Sequence, residues 1–317
     1  MQNASVYPRA TEHIPSMIEL VERLLEKGVA YRGEDGSVYF SISRFPAYGR
    51  LSQLERRELK AGASARVRAD EYSKEDARDF ALWKAPEPGD KAEAVGAVWD
   101  TPFGRGRPGW HLECSAMALK LLRERWGTEV LDIHAGGVDL IFPHHEDEIA
   151  QSCAYTGRDL FARVWLHGEF LSLEGSKMSK RYGNILTARD LREQGVDAGA
   201  VRLLLFGTHY RQKLDWSDAA LASAGEGSAR LGAFRDRLDK ESGAAPEDPE
   251  AVAGAKRFRA EFTAALDDDL NAPRAQGALF DLVREGNRML DEGRSLGPAY
   301  LAAWRLADRV LAVAPAA

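Results

Sequence analysis

Apolar positions recur at helical spacing through residues 12–27, where Ile14, Met17, Ile18, Val21, Leu24 and Leu25 mark one face and Gly28 follows as a stop. The next stretch, VAYRGEDGSVYFSI, holds two β-prone runs around the turn-rich Gly33-Glu34-Asp35-Gly36, a hairpin pattern. Residues 43–95 are rich in Arg, Gly, Pro and Glu without a sustained period, and are expected to form a loop-rich insertion. A helix is predicted from Leu112 to about Trp126, a strand over VLDIHAGG, and a helix over FPHHEDEIAQSCAY with Pro143 near its first turn. The run ARVWLHGEFLSL then has strand character and leads into the loop EGSKMSKRYGN. Strand, glycine loop, helix, strand is the order of a nucleotide-binding α/β sheet, in which ligands sit at the carboxyl ends of strands. Beyond about residue 217 every long segment has helical periodicity, interrupted by a connector at 242–250, so a C-terminal helical bundle is expected.

Composition narrows the function. The 317 residues include 43 basic and 49 acidic side chains, a formal net charge of −6. A protein that coats nucleic acid is usually basic overall. Any RNA contact would therefore use local clusters: Arg50, Arg56, Arg57 and Lys60; Arg66 and Arg68; or Lys177, Lys180 and Arg181. The first two clusters read equally as solvated surface. No apolar run approaches 18 residues, and the first residues lack a charged-then-apolar leader pattern, so no membrane partner and a cytoplasmic location are expected. The two cysteines, Cys114 and Cys153, are expected to be reduced thiols.

Three clusters carry candidate chemistry. Cys114 lies in Gly-Trp-His-Leu-Glu-Cys, and His144 and Glu148 stand four apart on one face of a predicted helix. A thiolate, an imidazole and a carboxylate suit Zn2+, although a core cysteine and a solvated His/Glu pair would share this spacing. Lys177-Met178-Ser179-Lys180 occupies a loop between Gly175 and Gly183, where two lysines can follow charge developing on a triphosphate or simply be solvated. In His134-Ala135-Gly136-Gly137-Val138-Asp139 the paired glycines allow close backbone approach to a ligand, or form an ordinary turn.

Taken in order, GWHLECSAM, DIHAGGVDLIFPHHEDEIAQS, EGSKMSKRYGN and TAALDDDLNAPRAQGALFDLVREGNR resemble the cysteinyl-tRNA synthetase family, and PRATEHIPSMIELVERLLEKGVAY and SVYFSISRFPAYGRLS fit it too. The resemblance covers nearly the whole chain. It implies a class I enzyme that joins cysteine to ATP, with Mg2+, and passes the cysteinyl group to tRNA. The implied fold is α/β plus all-α. A partial Rossmann-type core with an inserted domain precedes a stem-contact region and a helical bundle. On that basis residues 1–28 lead from the core, 29–95 form the insertion, 96–190 the second half of the core with the KMSK loop, 191–217 the stem-contact region and 218–317 the bundle. Residue by residue, the resemblance makes Cys114, His144 and Glu148 zinc ligands, and puts Trp110 and His111 beside the cysteine pocket. It places His134, Gly136, Gly137 and Asp139 at the adenylate, and gives Lys177 and Lys180 the catalytic role of steadying the pyrophosphate, with Lys180 also binding ATP.

The sequence also departs from the family pattern. It contains no HIGH tetrapeptide, and with that segment goes the family's first zinc cysteine. Arg181 stands where the family has serine after KMSK, and the region that reads the anticodon is not recognised. The expectation is a shortened form or a paralogue whose zinc site has three protein ligands. Its alternatives are a module binding tRNA, nucleotide or cysteine, or a cysteine ligase for a small amine. Open strand edges would favour a homodimer or a complementing protein.

Overall fold

The amphipathic N-terminal run forms helix α1 (Ile14–Glu26), with Pro15 in its first turn and Gly28, at φ +67°, ending it. Met17, Leu20, Val21 and Leu24 are buried, while Ile18 and Leu25 are half-buried against the same core. These observations come from a computed structural model that describes residues 3–53, 78–87, 89, 91–173, 175–177, 186–241 and 248–315. They divide into two units, Met1–His167 and Gly168–Ala317.

In the first unit the hairpin forms as the pattern predicts. β1 (Ala30–Arg32) pairs antiparallel with β2 (Val38–Phe40), and Gly36 at φ +82° turns the chain between them. The insertion is not all loop. Phe80–Lys84 forms β3, antiparallel to β2, and β4 (Arg107–Pro108) completes a sheet of order β1-β2-β3-β4. Phe80, Ala81, Leu82 and Trp83 are all buried, so both faces of β3 are covered. A strand covered on both sides shows no alternation, which is why periodicity alone did not reveal it. Between β3 and β4 lies a short helix, α2 (Lys91–Ala94).

Helix α3 (Trp110–Trp126) begins two residues before the predicted start, with Gly109 as its N-cap. An added Cβ at Gly109 would lie 1.9 Å from the Ala81 carbonyl oxygen, so only glycine lets α3 start directly against β3. Strand β5 (Leu131–Gly137) hydrogen-bonds to β6 (Ala162–Gly168), and helix α4 (Glu146–Thr156) lies between them in the chain. The predicted helical start near Pro143 is corrected here. Phe142 is extended (φ −141°, ψ 132°), as the residue before proline prefers, so Ile141–His145 forms a wide irregular turn and α4 proper begins at Glu146.

The second unit starts where the predicted 162–173 strand breaks. β7 (Leu171–Leu173) pairs antiparallel with β8 (Ser176–Lys177) and parallel with β9 (Leu214–Trp216). Helices α5 (Ala188–Glu193) and α6 (Ala198–Phe206) separate these strands in the chain, α5 opening with a Thr187/Asp190 capping box. The C-terminal helices are α7 (Asp218–Glu241), α8 (Pro249–Asp267), α9 (Ala272–Asp291) and α10 (Gly297–Leu311). They enclose an apolar core around Leu231, Phe234, Phe262, Leu282, Tyr300 and Trp304. Among the described residues no helix is long and apolar enough to cross a membrane.

Candidate metal centre

The N-terminal turns of α3 and the segment leading into α4 bring six of the sequence-predicted residues together. Trp110, His111 and Cys114 come from α3, His144 and Glu148 from the turn and helix of α4, and His134 from β5. His144 and Glu148 are four apart, and both are buried, at 4% and 0% exposure. The ligand atoms of Cys114, His144 and Glu148 all lie within 4.8 Å of one another.

Glu148 is the centre of the arrangement. Its Oε2 lies 2.9 Å from His134 Nε2 in a hydrogen bond. Its buried Oε1 lies 2.8 Å from His144 Nε2, a close polar contact whose angle falls short of a good hydrogen bond, and no other group meets it. A fully buried carboxylate oxygen with one poorly aligned partner is costly, and a cation would complete it. Burial pushes the Glu148 carboxyl up, but the neighbouring imidazoles His134 and His144 more than offset this and hold it below its ordinary value. Burial, with Glu148 and Glu113 adding to it, pushes the Cys114 thiol up to about 12. A thiolate beside this carboxylate is therefore a state that requires a cation. Soft sulfur, borderline nitrogen and hard oxygen together fit zinc, and among the described residues these three supply that donor set.

The surroundings orient these groups. His144 Nδ1 is 2.9 Å from His111 Nδ1, which commits that side of the ring and turns Nε2 toward Glu148. The Trp110 ring lies 4.3 Å from the His144 ring and is itself half-exposed. Gln151 Nε2 donates to the His111 carbonyl (2.6 Å) and to Ser115 Oγ (2.7 Å), locking α3 to α4. Below them, Glu146 accepts from the backbone N–H groups of Gly49 and Ser52, each at 2.8 Å, and Tyr48 donates to Asp147 at 2.5 Å. Burial and Asp147 push the Tyr48 hydroxyl far above its ordinary value, so it stays a donor. Three consecutive buried acids are tolerable here because they open a helix, where backbone N–H groups and the helix dipole favour negative charge.

The other predicted residues are placed differently. Gly136 and Gly137 end β5, and a Cβ on Gly136 would come 2.7 Å from His145 Cε1, so this glycine makes room for an imidazole. Asp139 is exposed, beside Gly137, and stands outside the donor cluster. Lys177 closes β8 in the second unit, and Lys180 lies outside the described residues, as do Arg56, Arg57, Lys60, Arg66, Arg68 and Arg181. Cys153 is buried in the apolar core of α1, α3 and α4, and burial pushes its thiol up to about 11. Sequence reasoning missed His145, Trp165 and His167. The doublet His144-His145 was the available signal for the first. Nothing in a strand pattern marks Trp165 stacking on His134 with ring centres 4.7 Å apart.

Residues 1–226 match the family described as tRNA synthetases class I (C) catalytic domain. The chain belongs to that family. Residues 261–311 match the DALR domain. Among curated relatives, the cysteine–tRNA ligase of Chlamydia pneumoniae is 48% identical over 293 residues, covering 92% of this chain and 59% of the relative. That of Protochlamydia amoebophila is 46% identical over 292 residues, with the same coverage of 92% and 59%. The chain thus spans under two thirds of the length of these synthetases. Among solved structures, Mycobacterium tuberculosis methionyl-tRNA synthetase with methionyl-adenylate has a TM-score of 0.61 at 16% identity, covering 96% of this chain and 71% of that one. A Campylobacter jejuni structure described as an arginyl-tRNA synthetase scores 0.61 at 12% identity, covering 99% and 64%. At these identities the likeness is one of fold: the α/β core followed by helices is the class I synthetase fold.

Proposed function

We propose that this chain selects cysteine for ATP-dependent activation and transfer to tRNA, holding the amino acid by its sulfur at the Cys114–His144–Glu148 centre. The observation that carries this reading is the buried donor set itself: the thiol, imidazole and carboxylate ligand atoms lie within 4.8 Å of one another, and Glu148 Oε1 is met only by the His144 Nε2 at 2.8 Å. Zinc bound there would lower the pKa of a substrate thiol and accept the thiolate at an open position, which a serine hydroxyl cannot imitate. The chain's own residues do the rest of the selection. His111 holds the His144 tautomer through the 2.9 Å contact, and Gln151 fixes His111 by its carbonyl. One side of the half-exposed Trp110 ring packs against the His144 ring and limits access from solvent. The buried acids anchor residues 48–52 against α4, so the two helices keep their spacing.

The remaining roles follow the family resemblance. Lys177 and Lys180 steady the departing pyrophosphate, and Lys180 also binds ATP. The β5 end, with His134, Gly136, Gly137 and Asp139, borders the adenylate. ATP enters with Mg2+. The names of the relatives favour tRNA over a small amine as acceptor. Cytoplasmic residence accords with that work.

Cobalt-loaded protein tests the reading. Cysteine should change the thiolate-to-cobalt charge-transfer spectrum, serine should not, and Cys114→Ser should abolish the band seen before substrate is added. Equal responses to cysteine and serine, or no charge-transfer band at all, would overturn sulfur selection at this centre. Cysteine-dependent ATP–pyrophosphate exchange then reads the activation step.

A further inference from the structure

We infer that Glu148 bridges two metal sites, the second formed by His134, His145 and Glu148 itself. The ligand atoms of these three residues also lie within 4.8 Å of one another. Two imidazoles and a carboxylate, with water in the remaining position, are a common zinc donor set.

The two sites are built alike around one carboxylate. Oε1 faces the His144 Nε2, and Oε2 faces the His134 Nε2 at 2.9 Å. In each set one histidine is fixed through Nδ1 by another histidine. For His144 the partner is His111 at 2.9 Å, and for His145 it is His167 Nε2 at 2.8 Å. Because Nδ1 of His145 is occupied by His167, Nε2 is the nitrogen left for a metal, and such outer contacts are what orient metal-binding imidazoles. Each set also has a tryptophan against its rings: Trp110 on His144, and Trp165 on His134 (4.7 Å) and His145 (5.0 Å). Gly136 admits the His145 imidazole, since any Cβ there would collide with it.

Without metal, the His134–Glu148 hydrogen bond satisfies this half of the cluster. A divalent first-row ion would take the place of the shared proton, with Oε2 and His134 Nε2 both turning lone pairs to it. His134 is partly exposed, so water or an oxygen ligand can reach the ion from solvent. Only one carboxylate serves both ions, so the second is held more weakly than the first.

Metal-free protein titrated with Co2+ decides this, with stoichiometry read by elemental analysis and the spectrum read alongside. The expected result is two equivalents per chain. His145→Ala should reduce this to one while keeping the thiolate charge-transfer band. Cys114→Ser should also leave one equivalent but lose the band. His134→Gln, folded by circular dichroism, repeats the His145 test with a milder change. One equivalent in the unaltered chain, or a second equivalent that survives both His145→Ala and His134→Gln, would overturn the inference. A missing charge-transfer band with a His145-dependent equivalent still present would instead overturn the sulfur-selecting centre and leave this site standing.

Discussion

At the scale of single residues, charge placement explains features that composition hides. Asp269 is held at φ +54° after α8 and is gripped by Arg211, whose Nε and Nη2 lie 2.5 and 3.0 Å from its two oxygens, and by the Tyr210 hydroxyl at 2.6 Å. The hydrogen bonds from Arg211 and then Tyr210 pull its carboxyl from 3.8 down to about 2. A depressed carboxyl stabilises the fold above its unfolded pKa and loses that contribution as pH falls through the folded value. Carbon-detected NMR should therefore show Asp269 titrating near 2, with Arg211→Gln moving the midpoint toward 3.8, and melting temperature should fall across that interval more steeply in the unaltered chain than in the variant. The stretch TAALDDDLNAPR was visible as a family motif, but the pairing of its Asp269 with Arg211 was not, because the two lie 58 residues apart. The same holds at the metal centre. Cys114, His144 and Glu148 stood out by type and spacing, whereas the crowding of imidazoles around the Glu148 carboxylate and their pairings are properties of distance alone.

At the scale of elements, glycine and proline set where helices begin, and this decides what the site contains. Gly109 lets α3 start against β3, its N–H donating to the Leu82 carbonyl at 2.8 Å, and so presents Trp110, His111 and Cys114 on the first turns. Gly109→Ala forces a Cβ into the Ala81 carbonyl, a contact that backbone cannot relieve as a flexible side chain could. Overpacking of this kind costs about 1–3 kcal/mol. Urea denaturation should show that loss, and cobalt binding at Cys114 should weaken with it; unchanged stability would contradict the packing described here. Helices with one apolar face, α1 above all, were legible from the chain because their period survives partial burial. Strand β3 was not, because full burial erases the alternation that marks a strand.

At the scale of the whole molecule, stability rests on two separate apolar cores, one around α1, α3 and the β1–β4 sheet, the other among the C-terminal helices. Phe262, 1% exposed, sits in the second and stacks near Phe258 with ring centres 5.2 Å apart. Phe262→Ala should cost about 3–5 kcal/mol, through lost burial and the cavity left behind. Chemical denaturation checks this, and a loss well under 1 kcal/mol would show that the bundle collapses around the gap. The net charge of −6 acts on the whole chain as well, leaving any RNA contact to local basic groups rather than to an overall attractive field.

By itself the sequence determined the helices with an apolar face, the hairpin, the order of α/β core and helical region, and the residue types able to hold a metal. Those follow from local periodicity, turn chemistry and donor chemistry, which are written along the chain. Only the tertiary structure decided that β3 is a strand, that α4 starts after Pro143, and that five histidines and one glutamate crowd into a shared donor cluster while Asp139 stays at the surface. Burial on both faces, close backbone approach and the satisfaction of buried polar atoms depend on what lies opposite, and no local pattern records that.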